Sequence, residues 1–65
     1  MWDAALERAR TAQERVTESR RTGRAEQELR DSAIVDAYEL GCPVQRIASA
    51  VGIGRTTVLN IIASS

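Results

Sequence analysis

A chain of 65 residues with a single cysteine and no histidine excludes an internal disulfide and a histidine-based metal cluster, and buries only about 60% of its unfolded surface. Stability is then expected from close helix packing or from association with another copy. No apolar run approaches the ~20 residues of a membrane span and the N-terminus lacks the apolar core of a signal peptide, so a bacterial or phage cytoplasm is the expected home.

Nine arginines balance nine acids, with no lysine. The sum hides a segregation. All nine acids and seven of the arginines fall in residues 1–39, whereas residues 40–65 hold Arg46 and Arg55 and no acid. The distribution, more than the total, governs which partners a surface attracts.

The first segment, Asp3 to about Arg21, reads as a helix rich in Ala, Glu, Arg and Gln, with acids near its start and arginines near its end. Trp2, Ala9 and Val16 recur every seven residues, and Ala5, Leu6 and Ala12 fill the same side. Such a thin, alanine-rich stripe needs something to lie against. Gly23, within Arg20-Arg21-Thr22-Gly23-Arg24, either caps this helix or is a weak point in one long helix. A second helix is expected from about Ala25 to Leu40, with Leu29, Ala33, Ile34, Ala37 and Tyr38 inward and Glu26–Arg30 as an i,i+4 pair. Gly41 ends it. Pro43 suits the first position of a third helix, in which Val44, Ile47, Ala48 and Val51 form an amphipathic face. Gly52-Ile53-Gly54 breaks that helix, and a fourth proceeds from Arg55 with Val58, Ile61 and Ile62 inward.

The stretch Val44 to Ala63, VQRIASAVGIGRTTVLNIIA, fits a helix-turn-helix at each position with a physical demand. Ile47 and Val58 are expected where the two helices press together, and Ala48 is small where they cross. Gly52 supplies a left-handed turn, Ile53 plugs it from below, and Ile61 completes the core.

Leu40-Gly41-Cys42-Pro43, Ile47-Ala48 and Gly52-Ile53-Gly54-Arg55-Thr56-Thr57-Val58 together resemble the C-terminal DNA-binding domain of serine recombinases, the resolvases and invertases. They are similar too to short helix-turn-helix domains of actinobacterial and phage regulators. The resemblance covers roughly residues 23–65. It does not extend to a recombinase catalytic domain, which 65 residues cannot hold, so recombination chemistry is not implied. In such domains the second helix of the motif presents its N-terminal residues to base edges. The resemblance therefore implies Arg55, Thr56, Thr57 and Asn60 as DNA-facing residues: Asn60 for adenine, Arg55 for guanine or phosphate, and a threonine methyl for thymine. Arg46 is expected at a phosphate. In invertase-like domains a Gly-Arg-containing arm enters the minor groove. Gly23-Arg24 stands at a similar place, without the proline that usually keeps such an arm extended, and Arg24 is equally explained as complementing a helix C-terminus.

Cys42 is expected as a small residue at a helix start, Tyr38 as core with its hydroxyl outward, and Trp2 as part of an interface. No Ser-His-Asp, Cys-His or phosphate-cradling loop is present, so no enzyme, cofactor or small-molecule ligand is expected. The expectation is an all-α chain: an N-terminal helix over residues 1–22, serving as a dimerisation element, and a three-helix helix-turn-helix unit over 23–65. The function it implies is sequence-specific binding of double-stranded DNA by a small transcriptional regulator acting as a homodimer. An excisionase-like recombination accessory factor shares the same site. A helical protein-interaction adaptor is the alternative of another class. A monomer whose first helix folds back over Leu29 and Ile62 competes with the dimer.

Overall fold

The computed structural model describes residues 1–18 and 23–65, and all of these that are ordered into elements are helical. The helices are α1 (Asp3–Glu18), α2 (Gly23–Glu39), α3 (Val44–Val51) and α4 (Arg55–Ser64), with no strand among the described residues. No single described helix is long and apolar enough to cross a membrane.

α1 begins with Asp3 in its first turn and ends with Arg15 in its last, each matching the helix dipole. It buries Ala5, Leu6, Ala9 and Ala12, one face at helical spacing. That face lies on α2 and α3 and does not reach α4. Three links fix the direction: Arg8 to Asp36 at 3.4 Å, Arg30 to Gln13 at 2.8 Å, and Arg15 to Glu26 at 3.8 Å. Ascending α1 descends α2, so the pair is antiparallel, and a single helix through Gly23 is excluded. The Arg8–Asp36 pair is solvent-exposed and contributes little, whereas Glu26 of the Arg15–Glu26 pair is mostly buried. Close approach of alanines carries the contact, with Ala5, Ala9, Ala33, Ile34 and Ala37 in one buried cluster.

Several expectations along α1 and α2 change. Gly23 opens α2 instead of capping α1, while Arg20, Arg21 and Thr22 lie outside the described residues. Leu29 is 58% exposed and Tyr38 46% exposed, so α1 covers neither as a core residue. The reason is the angle at which α1 arrives: it meets α2 on the stripe of Ala33, Ile34 and Ala37. The same approach draws Arg30 to Gln13 and Asp31, and Glu26 to Arg15, in place of the expected Glu26–Arg30 pair.

Helix ends follow from two glycines. Gly41 has φ +98° and Gly52 φ +84°, both in the left-handed region that a Cβ disfavours. At the end of α2, Cys42 N–H donates to Ala37 C=O at 3.0 Å and Gly41 N–H to Tyr38 C=O at 3.0 Å. This is a Schellman closure, which satisfies carbonyls the helix leaves open. At the end of α3, Gly52 and Ile53 N–H both donate to Ala48 C=O, at 2.9 and 3.2 Å. Pro43 is the N-cap of α3, one residue earlier than expected, with extended backbone.

Ile34, Ile47, Val58 and Cys42 are the largest fully buried side chains. They come from α2, α3, α4 and the α2–α3 link, so one core joins the last three helices. Trp2, Val44, Ile53 and Ile62 pack around it half-buried.

Candidate nucleic-acid interface

Between Val51 and Arg55 the chain turns through Gly52, Ile53 and Gly54, and the axes of α3 and α4 bend by 112°. Gly52 adopts the left-handed conformation (φ 84°, ψ 31°) that reverses the backbone there. Ile53 tucks half-buried against the core. Gly54 is the N-cap of α4 with extended backbone and no side-chain cap, so its small size, not its sign of φ, is what it contributes.

Within α4, Val58 and Ile61 turn inward and are buried. A helix that buries those two positions must present the other side to solvent, and Arg55, Thr56, Thr57 and Asn60 are all exposed. Thr56 and Asn60 are four residues apart, about 6 Å along the axis, and Arg55 lies beside them. Arg46 is exposed on α3. These five residues make no side-chain hydrogen bond or ion pair among the described residues. Their donors and acceptors are therefore free of internal partners there. Arg24 stands apart from them. It is exposed in the first turn of α2, on a helix and not on an extended arm.

Two features were not anticipated from the residues alone. Leu59, 46% exposed, sits on the outer side of α4 between Arg55 and Asn60. Its i,i+4 spacing from Arg55 marks it as outward, but a leucine carries no hydrogen-bonding group to signal base readout. The second is electrostatic. Glu14 and Glu18 of α1 line a shallow groove with Val51 and Gly52, so carboxylates from the acidic half of the sequence flank the turn that leads into α4. The positive character of residues 40–65 is thus local to the α4 face and the Arg46 side of α3.

Cys42 is buried beneath this region. Burial pushes its thiol above the ordinary value, Arg46 opposes the shift, and Asp3 adds to it. The thiol is accordingly a packed apolar group and not a nucleophile.

A groove of about 430 Å³ runs between α1 and α2 over Ala12, Leu29 and Ala33. Its rim pairs Arg8 with Asp36 and Arg15 with one oxygen of Glu26, while Glu26 Oε2 is buried without a partner among the described residues; that is one polar group and not the convergent set of a ligand site.

Set against models of protein families, curated proteins and solved structures, the chain matches none.

Proposed function

We propose that the chain is a helix-turn-helix protein that binds double-stranded DNA sequence-specifically, in the manner of a small transcriptional regulator. The observation that carries this reading is the α3–α4 corner. Two short helices bent by 112° across a three-residue, glycine-containing turn fit the 90–120° geometry of that motif. Ile47 and Val58, fully buried, and Ile61, nearly so, occupy the positions where its helices and core meet. The exposed side of α4 then carries the chemistry of base readout: an amide at Asn60, a guanidinium at Arg55 and hydroxyls at Thr56 and Thr57. Arg46 supplies a phosphate contact that positions without specifying.

A lone helix of ten residues reads few base pairs, so two copies on related half-sites remain part of the proposal. Pairing through the α1 alanine seam would require α1 to leave α2, because Ala5, Ala9 and Ala12 are already buried within the chain. The homodimer therefore needs another surface, and sedimentation at tens of micromolar decides whether it forms.

The test of DNA binding is selection from a randomised duplex library, followed by titration of the enriched duplex at several salt concentrations. If Arg46 and Arg55 each neutralise one phosphate, log K falls against log salt with a slope of about −1.8 per copy. No enrichment, or no duplex binding at low salt, refutes the proposal and favours a protein-binding adaptor.

A further inference from the structure

We infer that Leu59 is a specificity-determining residue of the α4 face, which reads the C5-methyl group of a pyrimidine in the major groove. The inference rests on the DNA-binding reading above and deepens it by naming what part of the duplex is recognised. Isolated leucines are ordinary on protein surfaces, so exposure alone says nothing. Position does. Among the exposed large apolar residues, Met1, Leu29, Tyr38, Leu40 and Leu59, only Leu59 belongs to α4. It lies one turn beyond Arg55 and next to Asn60, within the row of residues that would meet base edges. α1 does not reach α4, so within the described chain that helix does not cover the side chain.

Leu59 cannot be explained as core, because Val58 and Ile61 already fill the inner side of α4 and are buried. Nor does it donate or accept a hydrogen bond, so it cannot read the polar edge of any base. The major groove offers one apolar feature to such a group, the C5-methyl of thymine or of 5-methylcytosine. An arginine and an asparagine on either side would hold the leucine at the base edges, where closing over a methyl removes apolar surface from water. Leu59 and Thr56 are three residues apart, ~4.5 Å along the helix.

The experiment uses the full chain and the duplex enriched by selection. Each thymine is replaced in turn by deoxyuracil, which deletes the methyl and preserves pairing. For the unaltered protein, one replacement should weaken binding about fourfold, the worth of one buried methyl-sized group. Leu59→Ala should bind the thymine duplex with a similar loss and become indifferent to thymine or uracil at that position. Leu59→Met should keep the discrimination. A thermal melt of each variant shows that the fold is retained, as expected for a half-exposed site. The inference is overturned if every uracil duplex binds the unaltered protein as tightly as thymine. It is overturned equally if Leu59→Ala retains the full methyl preference, which would assign the contact to a threonine. Both outcomes leave salt-dependent DNA binding standing. If no duplex is bound at all, the DNA-binding reading itself falls, and Leu59 with it.

Discussion

Replacing Ala9 with leucine places an isopropyl group at a position with no solvent exposure, on the α1 face that meets α2 and α3. Nothing lies open to receive it, since Ala9 shares its buried cluster with Ala33, Ile34 and Ala37. Overpacking of this kind costs about 1–3 kcal/mol. A chain of 65 residues has only about 3–10 kcal/mol of total stability by its size, so the substitution removes a substantial fraction. At about 4–8 °C per kcal/mol for small domains, a cost of ~2 kcal/mol lowers Tm by roughly 8–16 °C. Ala4→Leu is the control: it is on the same helix but exposed, and its Tm should scarcely move. Thermal melts followed by circular dichroism at two protein concentrations tenfold apart distinguish the sources of the effect. If the seam is internal, the loss is the same at both. An unchanged Tm in Ala9→Leu would refute the packing of α1 described above. So would an unaltered protein whose Tm rises with concentration while that of the variant does not, because the seam would then lie between copies.

Gly52→Ala should cost about 1–2 kcal/mol, because a Cβ at this left-handed position is strained even though nothing lies within 4 Å of it; an unchanged Tm would mean the turn has another conformation. On the selected duplex, Asn60→Ala should cost about 1–3 kcal/mol and relax base preference at one position, whereas Arg46→Ala should weaken all sequences alike and reduce the salt slope by about 1. Interchanged behaviour would reverse the two roles. For Cys42, the folded thiol holds its proton to higher pH than the unfolded one. Its contribution to stability is complete below the ordinary thiol value of 9.0 and is lost as pH rises through the raised value. Alkylation by iodoacetamide at pH 8 should therefore be slow in the folded chain and rapid in denaturant, and equal rates would show the thiol to be accessible.

Local chemistry was legible in the sequence. Gly41 and Gly52 end their helices because only glycine enters the left-handed region cheaply. The spacing of Ile47, Ala48 and Val51 defines the inner face of α3, and that of Val58 and Ile61 the inner face of α4. In turn, the outward placement of Arg55, Thr56, Thr57 and Asn60 follows from helical period alone. Leu59 lies outward by the same arithmetic, yet it drew no notice because a leucine carries no hydrogen-bonding group to suggest base readout.

What periodicity cannot supply is which surfaces meet. The heptad of Trp2, Ala9 and Val16 marks a sticky stripe and is silent on whether its partner is another copy or the same chain. Tertiary packing chose α2 and α3, because Ala33, Ile34 and Ala37 offer a matching shallow surface, and that choice left Leu29 and Tyr38 outside. It also moved charge. Residues 40–65 carry no acid, yet folding α1 against α3 sets Glu14 and Glu18 beside Gly52. A linear sequence determines the sign of each residue and the face of each helix, since both are local. The field at a surface is a sum over neighbours in space, and those neighbours exist only once the helices have packed.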